Sequence, residues 1–180
     1  AFESGSKAAL KASLTKAAKI AAKKAGKKLG PAAWLSTMLD VGGNDWHVSM
    51  KKAEQTGQLL ADLILRADGR RRYALFGHSL GARVIYHALR ALAAAKPKHP
   101  RVQEVHLLGG AVDSSADSWK GLPAAVRGEI YNYHSENDMV LQYLYKPGTF
   151  FMSEPCGRTP IRLRSKKIVN VDVSELVSGH

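Results

Sequence analysis

The serine at position 79 sits within Gly77-His78-Ser79-Leu80-Gly81, a G-x-S-x-G spacing that can present a hydroxyl as a nucleophile. The spacing has a steric rationale: the turn is tight, and Gly77 and Gly81 remove side chains that would collide beside the serine. With Ser79 at a helix N-terminus, the Leu80 N–H can face a developing oxyanion, and the helix dipole adds a favourable field. The bland alternative is an ordinary strand-to-helix turn whose serine caps the helix. A serine nucleophile also needs a base to take its proton and a carboxylate to hold that base in one tautomer. Asp138 and His180 follow Ser79 in the order nucleophile, acid, base.

Each member of this set has a rival. Asp113 lies one strand earlier and could supply the carboxylate, but the strand order favours Asp138. Glu136 is adjacent to Asp138 and is expected to point away. His134 falls inside a strand pattern and reads as structural, and His78 occupies a variable position of the elbow, where packing is expected. The single cysteine, Cys156, and the scattered histidines offer no metal-ligand spacing, so neither metal nor cofactor is expected.

These groups need elements to hold them. Tyr73-Ala-Leu-Phe76 is a short apolar run, followed after the elbow by Val84, Ile85, Ala88, Leu89 and Leu92 at helical spacing. Upstream, Pro31 to Leu39 is predicted as a short helix and Asp40-Val-Gly-Gly-Asn-Asp45 as a loop. Asp45 then caps a long helix, Trp46 to Ala67, in which Gly57 allows close approach to a sheet. Downstream, strands are predicted at Val102 to Val112, Glu129 to His134 and Lys166 to Val173. A short helix lies between Ser114 and Arg127, a helical turn spans Met139 to Tyr145, and Lys146 to Arg164 is irregular. Strands alternating with helices predict a parallel sheet covered on both faces.

Length and charge bound the rest. A chain of 180 residues with 45% hydrophobic content is expected to form one domain with a sizeable core. One cysteine excludes an internal disulfide framework and fits a reducing compartment. The net charge is +12, of which residues 1–30 hold +7 through eight lysines and one acid, Glu3. This alanine- and lysine-rich segment has high helix propensity and a poor apolar stripe. It suits an anionic membrane surface or, more blandly, a solvated helix; without interleaved aromatics it does not suit nucleic acid. No apolar run approaches the ~18 residues that a bilayer-spanning helix needs, and no secretory signal is readable. A cytoplasmic or peripheral membrane location is therefore expected. The predicted division is residues 1–30 as a basic helical segment and 31–180 as the folded domain.

The chain resembles the α/β-hydrolase family that includes the transmembrane-and-coiled-coil-domain hydrolases and related mitochondrial lipases. The matching motifs are Asn44-Asp45-Trp46, the extended elbow Gly77-His-Ser-Leu-Gly-Ala-Arg-Val-Ile-Tyr86, and His106-Leu-Leu-Gly-Gly-Ala-Val112. They continue through Tyr131-Asn-Tyr-His-Ser-Glu-Asn-Asp-Met-Val-Leu141, Pro155-Cys-Gly-Arg-Thr-Pro-Ile161, Asn170-Val-Asp-Val-Ser174 and Ser178-Gly179-His180. The region from His134 to Val140 also resembles the acid loop of fungal triacylglycerol lipases. The resemblance implies an α/β-hydrolase-like three-layer sandwich with a small, mostly parallel sheet, incomplete on its N-terminal side. It further implies a serine esterase or lipase acting on an acyl ester through Ser79, Asp138 and His180. The apolar residues Met139, Val140, Leu141, Tyr143, Leu144, Tyr145, Phe150 and Phe151 could line an acyl pocket, or could be core. The sequence departs from the family in lacking its membrane-spanning helices and the earlier strand whose loop supplies a second oxyanion donor. Two other readings stay open: an acyltransferase or thioesterase on the same scaffold, and a non-catalytic module docked to membranes.

Overall fold

A computed structural model describes residues 31–144 and 154–180. The chain enters through a long helix, α1 (Pro31–Arg66), and continues into β1 (Tyr73–His78) and α2 (Leu80–Ala95). Then come β2 (Val102–Leu108), the short helix α3 (Ala116–Trp119) and a 3-10 turn (Leu122–Ala125). β3 (Ile130–His134), α4 (Met139–Leu144) and β4 (Ile168–Asp172) are the last of the described elements. The basic segment of residues 1–30 lies outside the described residues.

The helix α1 corrects one expectation. Asp40-Val-Gly-Gly-Asn-Asp45 forms no loop and Asp45 starts no helix, because the helical backbone runs unbroken from Pro31 to Arg66. A glycine in a helix costs about 1 kcal/mol relative to alanine, which weakens the helix without forbidding it. Once turns exist on either side, extension adds a hydrogen bond for each residue fixed. Pro31 stands at the first position, where its missing N–H has no intrahelical acceptor to lose.

The four strands form one sheet in the order β1-β2-β3-β4, and all three pairings are parallel. Cross-strand rows put Leu75, Val105, Ile130 and Ile168 on one face, and Phe76, His106, Tyr131 and Val169 on the other. The first face is the core face. There α2 contributes Ala82, Ile85, Ala88, Leu89 and Leu92, packed with Val105, Leu107 and Ile130 of the sheet and Ala61 and Ile64 of α1. Leu89 is fully buried, and its replacement by alanine should cost about 2–5 kcal/mol.

Gly57 gives α1 its close approach, but to α2 rather than to the sheet. A Cβ there would lie 2.5 Å from the Val84 carbonyl oxygen and 2.6 Å from the His87 Cβ. The opposite face of the sheet exposes Phe76, at 69%, and Leu108. Among the described residues the expected cover is thus seen on one face. Parallel crossovers are right-handed, so successive steps in one direction place their connections on the same side.

The irregular stretch after residue 154 is tied to the sheet by Asn170. Its side chain accepts the Ile161 N–H at 2.8 Å and donates to the Ile161 carbonyl at 3.1 Å. The segment also reaches the loop after β2, where the Cys156 N–H donates to the Val112 carbonyl and the Gly157 N–H to the Gly110 carbonyl. The Ser135 N–H in turn donates to the Gly157 carbonyl, so this segment links the two loops at the carboxyl edge of the sheet.

Candidate active site

At the end of β1 the backbone reverses into α2 through Ser79, whose φ of 55° and ψ of −117° are unusual for a residue with a side chain. Such a conformation costs about 1–3 kcal/mol and persists only where its surroundings enforce it. Here the Ser79 N–H donates to the Leu108 carbonyl at 3.0 Å, and the Ser79 carbonyl accepts from Arg83 and Ala111 at 3.3 Å each. The Ser79 side chain makes no capping hydrogen bond to α2, so the helix-cap alternative does not describe it.

Gly77 is required in this turn, because a Cβ would fall 2.6 Å from the Gly81 carbonyl carbon and 2.7 Å from the Ala82 nitrogen. Gly81 is not required in the same way: a Cβ there meets nothing within 4 Å, since it faces away from the crowded side. The Leu80 N–H belongs to the first turn of α2, where donors have no intrahelical acceptor.

Asp138 terminates the loop after β3 and opens α4. Its Oδ1 accepts the Leu141 N–H at 2.9 Å, an N-cap bond that fixes the carboxylate plane. Its Oδ2 lies 2.6 Å from His180 Nδ1. The carboxylate can only accept, so Nδ1 carries the proton and Nε2 is left to take another. Asp138 is 2% exposed, which shields this contact from water.

The structure therefore brings Asp138 and His180 together, as the strand order suggested. His180 meets the elbow through His78, whose ring centroid lies 4.7 Å from its own, and it is hydrogen-bonded to Asp138 and not to Ser79. Such contacts are often long without substrate. Asp113 is engaged elsewhere: its Oδ1 accepts the Ser115 N–H at 2.6 Å.

The pair lines a cavity of about 200 Å³ whose walls include His78, Leu108, Gly109, Tyr133, Val173 and Val177. Gly109 has φ +50°, and a Cβ on it would approach Asp138 Oδ2, His180 Nδ1 and His78 Nε2 to 3.4–3.5 Å. His78 does more than pack in the elbow. Its ring centroid is 4.7 Å from that of His180, and burial, followed by the neighbouring His180, lowers its pKa below the usual 6.5.

Tyr133, Val173 and Val177 were not singled out in the sequence. Tyr133 could have been found from its position beside His78 and Leu108 once strand register is known. Of the expected acyl-pocket residues, Leu141 is fully buried, as a core residue would be, and Met139 is 39% exposed. Tyr145, Phe150 and Phe151, and the side chains of Tyr143 and Leu144, lie outside the described residues. Burial pushes the Cys156 thiol up to about 12, which removes it as a nucleophile. Among the described residues no group of three metal-ligating side chains is close enough to hold an ion.

The family described as "Protein of unknown function (DUF726)" matches residues 13–180. A relative from Caenorhabditis elegans, an uncharacterised membrane protein, is 35% identical over 82% of this chain and 25% of its own length. In rice, a transmembrane and coiled-coil domain-containing protein named STS1 is 32% identical over 84% of this chain and 23% of its own. A protein of Saccharomyces cerevisiae named probable lipase MIL1 is 33% identical over 76% of this chain and 13% of its own. The chain thus spans a quarter or less of the length of these relatives. No solved structure matches it. Among the described residues no helix is long and apolar enough to cross a membrane.

Proposed function

The chain belongs to the DUF726 family, and from the chemistry of its site we propose that it is a serine hydrolase that cleaves acyl esters. The observation that carries this reading is the strained Ser79, held on a strand-to-helix turn without capping the helix, together with a hydrogen-bonded Asp138–His180 pair whose imidazole lies against His78, the residue before Ser79. In the proposed reaction Ser79 Oγ attacks the ester carbonyl carbon while His180 Nε2 takes the hydroxyl proton. Asp138 stabilises the resulting imidazolium through Nδ1. The oxyanion draws on the Leu80 N–H, and a single such donor is worth about 10²–10³ in rate. Collapse of the tetrahedral species expels the alcohol, which receives the proton from His180 and leaves an acyl group on Ser79. Water then attacks the acyl-enzyme as His180 takes its proton, and collapse releases the acid while His180 returns the proton to Ser79 Oγ.

The cavity walls of leucine, valine and tyrosine favour an apolar acyl group, and the name of the yeast relative, probable lipase, points the same way. A lipid ester is the proposed substrate class. Hydrolysis of a short-chain nitrophenyl ester by the 180-residue chain tests the reading. The Ser79→Ala variant should lose about 10⁴-fold or more in turnover with an unchanged circular dichroism spectrum. An alanine variant as active as the parent would remove Ser79 from the mechanism.

A further inference from the structure

We propose that Ser174 is a positioning residue that fastens the loop bearing Asp138 to the tail bearing His180; the proposal rests on the hydrolase reading above. The need for a fastener is plain from the topology. β4 is an edge strand of five residues, and the tail beyond it is largely exposed, with Leu176 at 85%. An exposed segment beside an edge strand makes few buried contacts, so its position depends on the hydrogen bonds that hold it. Asp138 hangs from a different strand, yet its Oδ2 must stay 2.6 Å from His180.

Besides the His180–Asp138 contact itself and a backbone bond where the two segments leave the sheet, three hydrogen bonds cross between them, and two of these end on Ser174. The Glu136 N–H donates to Ser174 Oγ at 3.1 Å, and Asn137 Nδ2 donates to the Ser174 carbonyl at 2.8 Å. The third runs from Ser135 Oγ to the Val177 carbonyl at 2.9 Å. Ser174 is itself anchored to β4, because its N–H and its hydroxyl both donate to Asp172 Oδ1, at 2.9 and 2.6 Å. One oxygen therefore gives its proton to β4 and its lone pair to the acid loop. Among small side chains only a hydroxyl both donates and accepts strongly at a single atom. Below this point, the Val173 N–H bonds the His134 carbonyl, and a turn closes from Leu176 and Val177 back to the Val173 carbonyl. That turn sends residues 178–180 back toward the cavity instead of along the strand direction.

Alanine at 174 removes both side-chain bonds and leaves the Glu136 N–H without its acceptor. Threonine keeps them. The experiment compares the parent chain, Ser174→Ala and Ser174→Thr by steady-state hydrolysis of p-nitrophenyl butyrate and by the low-field proton resonance of the His180 Nδ1–H. Misplacement of a reacting group by about 1 Å can cost about 10²-fold, so kcat of Ser174→Ala should fall about ten- to hundredfold while KM stays within about twofold. Its low-field resonance should broaden into exchange with water, and Ser174→Thr should restore both signals. An alanine variant with parental kcat and a sharp resonance would overturn the proposal. If Ser174→Ala does not fold, Asn137→Ala removes only the bond to the carbonyl and should give the same two changes at smaller amplitude; no change in either would overturn the proposal equally. A parent chain that hydrolyses no ester, but whose low-field resonance disappears in Ser174→Ala, would uphold the fastening and end the hydrolase reading.

Discussion

His180 and Asp138 meet beside Tyr133 and Leu108, at the carboxyl edge of one face of the sheet, while His134 and Asp172 are cross-strand neighbours on the other face. The residue types are the same, and the surroundings differ. Asp138 is almost fully buried, spends one oxygen on capping α4 and directs the other at the imidazole. Asp172 is exposed, and the oxygen that is bonded is held by the N–H and hydroxyl of Ser174, which lower its pKa below the usual 3.8. His134 lines a polar cleft of about 400 Å³ with Glu136, Glu154 and Arg158. Burial lowers its pKa, and Asp172 opposes this only as the lesser influence. On the proposed mechanism, a histidine near a carboxylate is thus not enough for proton transfer. What matters is whether the carboxylate has an oxygen free, dry and aimed.

The largest expected contrast is between the two acids. Asp138→Asn should reduce kcat about 10³–10⁴-fold, because asparagine presents the wrong partner to Nδ1 and disturbs the tautomer. Asp172→Asn keeps an acceptor oxygen for Ser174 and should cost less than about tenfold in the same assay. Equal losses would erase the distinction between the pairs, and a larger loss at 172 would move the acid to the cleft beside His134.

A smaller contrast concerns pH and stability, and a third histidine calibrates it. His87, on α2, is buried with Nε2 unpartnered, and burial lowers its pKa to about 4. The unfolded chain takes up this proton near pH 6.5, while the folded chain takes it up only near pH 4. Stability is therefore highest above pH 6.5 and falls as the pH drops toward 4. His87→Gln should flatten that decline, read as the urea midpoint at pH 7 and pH 4.5. His134 acts in the same direction over a narrower window, since its pKa is also lowered. A His87→Gln variant whose midpoint falls as steeply as the parent's would contradict the burial argument.

The smallest effect on turnover is expected from residues 7–28. We propose that their lysines attach the chain to anionic membranes, each worth about 1 kcal/mol near such a surface. Deleting them should weaken salt-sensitive binding to phosphatidylserine vesicles and leave hydrolysis of a soluble ester unchanged. Vesicle binding indifferent to the deletion and to salt would make the segment an ordinary solvated helix.

Much of this arrangement could be read from the chain. The elbow strand and its helix, the later strands, and the Asp138–His180 pairing all follow from local apolar patterns and strand order. The features that could not be read depend on contacts distant in sequence. Ser174 joins residues 37 and 38 positions away, and its place at the end of the Asn170–Ser174 motif does not reveal those partners. The His134–Asp172 neighbourhood appears only when the β3–β4 register is known. Gly42 and Gly43 suggest a break because glycine weakens a helix, but propensity is a weak prior beside helix propagation. Gly81 sits in a motif position yet faces open space, so motif membership alone did not establish a steric need.

The most direct test of the central claim is fluorophosphonate labelling followed by peptide mass spectrometry. The reagent reacts only with an activated nucleophile, and its adduct reports the residue without knowledge of the natural substrate. A single adduct on Ser79, abolished in Asp138→Asn and His180→Gln and retained in His134→Gln, is the predicted result. No adduct on the folded parent chain, or an adduct on a residue other than Ser79, would contradict the account.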